Sequence, residues 1–320
     1  MGTLAIGVDV GGTKILARLV DPAAPLLALG HVRVDTPRGA PAILAAMHDA
    51  VEQVHDARPV GAAVATIGLG LAGLVDRHGV LRFAPNLPSA IDFDPGPSFA
   101  ERWSVPVVVD NDANCAAWAE HRLGVARNVR NLVLVTLGTG IGSGMVVDGI
   151  LQRGVAGFAG EPGHMVIDPS GPPCPCGRRG CWERFASGSG LGRLARDAAE
   201  AGQAERVVAL AGGGAEDVRG EHVTRAALEG DADAIAVLGQ FAWWVALGVA
   251  NLVNVCDPEL IVIGGGLTEA GELLLAPTRE AYAGLVLAHE HRPPVRIVGA
   301  ELGGEAGAIG AGLLAVESLA

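Results

Sequence analysis

The stretch LAIGVDVGGTKILARLVD, residues 4–21, decides the fold. Its apolar residues run in two β-length blocks, and Gly11, Gly12 and Thr13 between them permit a tight reversal, so it reads as strand, turn, strand. The same plan returns in NLVLVTLGTGIGSGMVVDG, residues 131–149, with Thr139 and Gly140 in the turn. Two halves that each open this way signal a duplication of architecture rather than of letters. Ligands of such folds are expected between the halves.

Outward from these anchors, residues 26–34 read as a third strand, 41–58 as a helix and 61–70 as a buried strand. The strand VPVVVD (105–110) runs directly into NDANCAAWAEHRLG, whose spacing of Ala, Trp and Leu is helical and stops at Gly124. Helices follow from about residue 188, then the strands ELIVIGGG and VRIVGA, and a Gly/Ala-rich closing helix at 303–319. The expected organisation is two α/β domains. Residues 1–110 plus 305–320 form the smaller, and 111–304 the larger.

A chain of 320 residues with 50% hydrophobic but only 4% aromatic residues builds its core from Ala, Val, Leu and Ile. The net charge of −12 argues against nucleic acid as a partner, because phosphate binding relies on Lys and Arg. The start MGTLAIGVDVGG has no basic n-region, and Ile6 spoils a myristoylation reading. The most apolar window, 241–256, is too short to span a membrane and carries two Asn, so a buried core helix is expected and no membrane partner. Five cysteines, an odd number, point to a reducing cytoplasm, with Cys115 and Cys256 as inert core thiols.

Four segments carry chemistry. In DVGGTK, backbone N–H groups freed of Cβ cover approach phosphate oxygens, the Thr13 hydroxyl adds a donor, and Asp9 suits Mg²⁺ directly or through water. A plain hairpin explains that segment equally well; it is not a P-loop, whose spacing and following helix are missing. The turn LGTGIGSG repeats the chemistry, and two such turns clamp a nucleotide's phosphates where one would be weak evidence. The run Gly264, Gly265 and Gly266 sits where a helix should begin, a position that favours anions and close approach to a nucleotide. In DNDAN, one of Asp110, Asn111 and Asp112 is expected to cap the helix. A carboxylate there could also accept the proton of an attacking hydroxyl, and the helix N-terminus would keep Asp112 ionised.

The segment GEPGHMVIDPSGPPCPCGRRGCWE, residues 160–183, holds His164, Cys174, Cys176 and Cys181. Four ligands of the Cys₃His kind suit tetrahedral Zn²⁺ and leave no open position, so a structural metal is expected. A redox pair is disfavoured because no Cys-x-x-Cys is present. Glu161 and Glu183 flank the ligands; with Asn111 and Asp112 they supply carboxylates and an amide that suit the hydroxyls of a sugar.

These motifs resemble the ROK sugar kinases, and within them the ATP-dependent bacterial glucokinases. DVGGTK resembles the first phosphate motif, NDAN the catalytic corner, LGTGIG the second phosphate motif, and GExGH with CxCGxxGCxE the family signature. The resemblance implies an α/β, actin-like, hexokinase-type (ribonuclease H-like) fold of two domains around a cleft. It implies Asp112 as general base, and Asn111, Glu161, His164 and Glu183 as sugar ligands, with Gly73 and Asn86 as further contacts. It places Asp9, Gly11, Gly12, Thr13, Lys14, Thr139, Gly140 and Gly264 to Gly266 at MgATP, and zinc on His164, Cys174, Cys176 and Cys181. It also implies a homodimer or homotetramer.

Three departures stand out: DNDAN in place of ENDAN, no Pro before the Gly of LAGLVD, and Pro162 in GEPGH. The expected activity is phosphorylation of glucose by ATP. The alternatives are a kinase for mannose, fructose, N-acetylglucosamine or N-acetylmannosamine, or a non-catalytic sugar sensor. Polyphosphate as donor would favour a basic groove, and a repressor of this family needs a helix-turn-helix segment before the first phosphate motif.

Overall fold

The computed structural model describes residues 3–87 and 90–320. In chain order the elements begin with β1 (Thr3–Val10), β2 (Lys14–Val20), β3 (His31–Asp35), α1 (Ala40–Asp56) and β4 (Ala63–Leu71). A small hairpin, β5 (Leu74–Val75) and β6 (Leu81–Phe83), precedes α2 (Gly96–Trp103), β7 (Val107–Asn111) and α3 (Asp112–Arg122). Next come β8 (Leu132–Leu137), β9 (Ile141–Val147), β10 (Ile150–Leu151), α4 (Glu183–Ala186), α5 (Gly188–Glu200), α6 (Glu205–Leu210) and α7 (Gly220–Leu228). The chain closes with α8 (Ala232–Cys256), β11 (Leu260–Gly264), α9 (Glu272–Leu285), β12 (Arg296–Gly299) and α10 (Ala306–Glu317).

The duplication read from the two Gly/Thr turns is visible in the sheets. One has the order β3-β2-β1-β4-β7 and the other β10-β9-β8-β11-β12, so each reads third, second, first, fourth, fifth among the strands of its own sheet. Strand β1 pairs antiparallel with β2 and parallel with β4, and β11 pairs parallel with β8 and β12. Parallel strands need crossover helices, which is why the hydrophobic runs of β4 and β11 are continuous rather than alternating. Strand β3 starts at His31, later than expected: residues 25–30 form a turn and loop, whose carbonyls at Pro25 and Leu27 take hydrogen bonds from the buried Arg18.

The chain divides into two compact units. The first comprises residues 1–130, 144–160 and 301–320, and the second 131–143 and 161–300. The boundary differs from the expected 110/111, because α3 packs on α10 and β4 and so stays with the first unit.

In the first unit, α10 is rich in Gly and Ala because it touches backbone. A Cβ on Gly7 would overlap the Ala308 carbonyl, and one on Gly310 would overlap that of Cys115. In the second, α8 is 25 residues long, so the apolar window is the end of a longer helix. By length and composition α8 could cross a membrane. Its buried side, including Phe241, Val245 and Val249, packs against α7 and α9 instead. Cys115 is fully buried, as expected, whereas Cys256 at the end of α8 is only half-buried.

Candidate functional site

In the first unit the site residues gather where parallel strands end. Asp9 on β1 lies opposite Gly70 on β4, and Gly70 opposite Asp110 on β7. The register therefore brings the three strand ends level, and the missing side chain of Gly70 leaves room for the corner beyond: a Cβ there would stand 3.4 Å from the Asp112 Cα. Asn111 is the residue that caps α3. Its Oδ1 accepts from the Asn114 N–H at 2.9 Å, and its Nδ2 donates to the Gly73 carbonyl at 3.0 Å. Gly73 has φ +133, and a Cβ there would press to 2.5 Å on the Phe83 carbonyl, so this contact depends on glycine.

Asp112 opens α3, and its Oδ1 accepts from the Ala113 N–H at 2.9 Å. Burial nevertheless raises its pKa to about 6, against the lowering effect of the Ala113 and Asp112 N–H groups. The helix N-terminus was expected to hold this carboxylate well ionised; desolvation outweighs it. Asp9 is raised to about 7, by burial first and by the Asp112 charge second, with Lys14 opposing. Two carboxylates that are costly to ionise together fit a divalent cation, which would restore both charges.

Asp110 accepts from the Asn111 N–H (2.8 Å), from Asn114 Nδ2 (3.0 Å) and from Arg153 Nε (2.6 Å). Sequence reasoning missed Arg153, since nothing in QRGVAGFAG marks one arginine as the partner of a carboxylate more than forty residues earlier. It also missed Gly307, whose added Cβ would stand 2.8 Å from the Asp9 Cγ.

The turn after β1 is a hairpin: Gly11 N–H donates to the Lys14 carbonyl at 2.9 Å, while the Thr36 hydroxyl donates to the Gly11 carbonyl at 2.7 Å. Gly12 and Thr13 are exposed, and the Thr13 carbonyl accepts the Thr36 N–H at 3.1 Å. Asn86 is exposed as well, and its backbone lies against Gly12: a Cβ on Gly12 would stand 3.1 Å from the Asn86 carbonyl.

In the second unit the turn Gly138–Gly140 is closed by Gly138 N–H to the Gly140 carbonyl at 3.0 Å, with Thr139 exposed. The first N–H of α5, on Gly188, donates to the Gly138 carbonyl at 2.7 Å. Gly265, at φ +87, packs onto the backbone of Leu137, so the glycine run and this turn form one surface. The run does not begin an α-helix. Gly266–Ala270 is a five-residue 3₁₀ turn, and α9 starts at Glu272 after Gly271 at φ +55. Gly264 is buried at the end of β11, and Gly266 is exposed.

The four metal candidates converge. The ligand atoms of His164, Cys174, Cys176 and Cys181 all lie within 4.8 Å of one another. Cys176 Sγ is 3.6 Å from Cys181 Sγ, and Cys174 Sγ is 3.8 Å from His164 Nδ1. A tetrahedron with Zn–S bonds of about 2.3 Å has edges of about 3.8 Å, so the set fits zinc. Burial pushes the Cys174 and Cys181 thiols up, the penalty a bound cation would remove.

His164 closes a 3₁₀ turn, Pro162–His164, in which Pro162 takes the first helical position and Glu161 the cap, its carbonyl accepting the His164 N–H at 3.1 Å. Glu183 opens α4, and its Oε1 is 3.0 Å from Cys174 Sγ. The structure thus brings His164 and Glu183 together at the metal set, with Glu161 three residues away along the turn.

Two sheets of one order, each beginning with a strand, a Gly/Thr turn and a strand, define an actin-like, hexokinase-type α/β fold. The chain belongs to the ROK family, whose profile matches residues 5–318. It is 40% identical to the glucokinase of Streptomyces coelicolor, over 98% of both chains, and 34% identical to that of Thermotoga maritima, over 88% of both. A crystal structure of a ROK family glucokinase from Streptomyces griseus in complex with glucose and AMPPNP has a TM-score of 0.90. It is 38% identical, over 98% of this chain and 99% of that one.

Proposed function

We propose that this protein is a glucokinase, transferring the γ-phosphate of ATP to the 6-hydroxyl of glucose to give ADP and glucose 6-phosphate. The observation that carries the reading is a half-buried carboxylate at the head of α3, raised to about 6, in a chain so similar to a kinase that holds glucose and an ATP analogue. A base whose pKa lies near the working pH accepts a proton in the transition state more effectively than one near 4.

Asp112 takes the proton of the 6-hydroxyl as its oxygen forms a bond to the γ-phosphorus and the bond to the ADP oxygen breaks. Asn111, held by its cap and by the Gly73 carbonyl, retains one N–H for a sugar hydroxyl. Glu161, His164 and Glu183 take further hydroxyls, with Gly73 and Asn86 beside them. Gly11, Gly12, Thr13, Lys14, Thr139 and Gly140 hold the phosphates, and Gly264, Gly265 and Gly266 the nucleoside. Mg²⁺ supplies charge neutralisation on the phosphates, and Asp9 is the residue suited to hold it or its water. His164 Nδ1 and the three thiolates would hold zinc in an architectural role, which would fix the imidazole and leave Nε2 for the sugar. A reducing cytoplasm keeps those thiols available.

The test is a panel of hexoses against ATP and polyphosphate, read by release of ADP and of sugar phosphate, on the native chain and Asp112→Asn. Glucose with ATP is expected to dominate, and the variant to lose about 10²–10⁴-fold in kcat while binding glucose within a few fold. Near-native turnover in the variant would remove Asp112 as base, and preference for another hexose would reassign the substrate.

A further inference from the structure

The carboxylate of Asp110 is buried, with 8% of its side chain exposed, and its two oxygens serve two parts of the first unit. Oδ1 takes both donors from the head of α3, the Asn111 N–H at 2.8 Å and Asn114 Nδ2 at 3.0 Å. Oδ2 takes Arg153 Nε at 2.6 Å, the one cation paired with it among the described residues. Asn111 and Asn114 flank Asp112 in the chain, and Arg153 supplies the charge that lets Asp110 stay buried against both.

Arg153 is itself held. It lies between β10 and Glu161 in a loop that closes on itself, the Ala159 N–H donating to the Arg153 carbonyl at 3.1 Å. Arg77, in the turn between β5 and β6, fastens this loop from outside: its N–H donates to the Ala156 carbonyl at 3.1 Å and its Nε to the Gly154 carbonyl at 2.9 Å. Gly157, at φ +101, lies so close to the same hairpin that a Cβ would stand 2.6 Å from the Val75 carbonyl. That hairpin begins one residue after Gly73, whose carbonyl accepts Asn111 Nδ2 at 3.0 Å. The contacts form a closed circuit from the hairpin through the loop, Arg153 and Asp110 to the head of α3, and back through Asn111 to the hairpin.

A buried Arg–Asp pair often serves packing alone. Two observations point further here. The N-terminus of α3 is already capped by Asn111 Oδ1, so the helix does not need Asp110 for its own start. Asn114, 1% exposed, turns Nδ2 to Asp110 and leaves Oδ1 buried with no hydrogen bond among the described residues, a cost that packing alone does not justify.

We propose, on the glucokinase reading, that Arg153 is a positioning residue for phosphoryl transfer: through Asp110 it fixes the first turn of α3, and with it the aim of Asn111 and Asp112. Without the guanidinium, the Asp110 carboxylate is a buried charge with no cation. It turns toward water, and the Asn111 N–H and Asn114 Nδ2 lose their acceptor. Asp112, between them, then shifts, and a shift of about 1 Å at a reacting centre costs up to about 100-fold.

The experiment is steady-state kinetics with ATP and glucose, beside urea unfolding, for Arg153→Met and Arg153→Lys, each with Asp and with Asn at position 110. Arg153→Met is expected to lower kcat about 10- to 100-fold, with an unchanged KM for MgATP, in protein that is folded under the assay conditions. Arg153→Lys keeps a cation beside Asp110 and is expected to lose only about threefold. In the Asp110→Asn background no buried carboxylate is stranded, so neither change at 153 is expected to move kcat by more than about twofold. Should Arg153→Met fail to fold, Arg153→Lys gives the same comparison: a loss with Asp at 110 and none with Asn. A folded Arg153→Met protein whose urea midpoint falls while kcat stays within about twofold of native makes the pair purely structural and overturns the positioning role. Equal losses in the two backgrounds overturn the route through Asp110. A native chain that transfers phosphate from ATP to no hexose of the panel refutes the kinase reading, and this role with it.

Discussion

Replacing Gly307 by Ala tests whether Asp9 serves the nucleotide. The added Cβ would stand 2.8 Å from the Asp9 Cγ and 2.9 and 3.0 Å from its two oxygens. Ordinary contact begins near 3.4 Å, so the carboxyl group must retreat by about 0.5 Å. Its backbone cannot follow, because Asp9 is paired with Leu16 on one side and Gly70 on the other. The helix cannot follow easily either, since Gly310 on α10 is in backbone contact with Cys115. The side chain therefore rotates away from the position proposed for the cation.

A misplacement of about 1 Å at a reacting centre costs up to about 10²-fold, so half that distance is expected to cost about tenfold, or about 1.4 kcal/mol. Stability should change little, because Ala is the better helix former by up to about 1 kcal/mol and that gain opposes the contact. Steady-state kinetics with varied MgATP and saturating glucose, alongside urea unfolding, make the measurement. The expectation is a tenfold lower kcat/KM for MgATP, an unchanged KM for glucose and an unfolding free energy within about 1 kcal/mol of native. Unchanged kcat/KM for MgATP in a folded Gly307→Ala protein would refute the role given to Asp9.

Two other perturbations follow from the same geometry. Activity should fall as pH drops through about 6, where Asp112 becomes protonated, and a pH profile of kcat checks this. Stability should run the other way. Asp9 at about 7 and Asp112 at about 6 keep protons that an ordinary Asp at 3.8 has released, so between about pH 4 and 7 the folded chain binds more protons than the unfolded one. Denaturant midpoints in the metal-free protein should therefore decline as pH rises through that window, and Asp112→Asn should flatten the decline. Zinc release by a strong chelator, or Cys176→Ser, should lower the unfolding midpoint and raise the KM for glucose together, with about one zinc per native chain measured by atomic absorption. Zinc loss with an unchanged KM would leave the metal no part in aiming His164.

Which groups act together was partly written in the chain. The metal set was legible because its ligands lie within eighteen residues, and a spacing of that kind closes on one ion whatever surrounds it. The strand, Gly/Thr turn and strand at residues 4–21 and 131–149 were legible because turn chemistry and short apolar blocks are local. The glycine run at 264–266 was misread as a helix start because Gly265 and Gly271 hold positive φ that only the packing against Leu137 and the turn into α9 require.

The sequence by itself determined the two repeated β-units, the set of four metal-ligand candidates and the residue types at the head of α3, since each depends on neighbours a few positions away. Only the tertiary structure decided that α3 belongs with the first unit, that Arg153 pairs with Asp110, that Gly307 bears on Asp9 and that Asp112 sits near 6. The physical reason is separation along the chain: these relations join residues tens to hundreds of positions apart. Burial, which sets the two carboxylates' affinity for protons, is a property of the whole packed unit rather than of any motif.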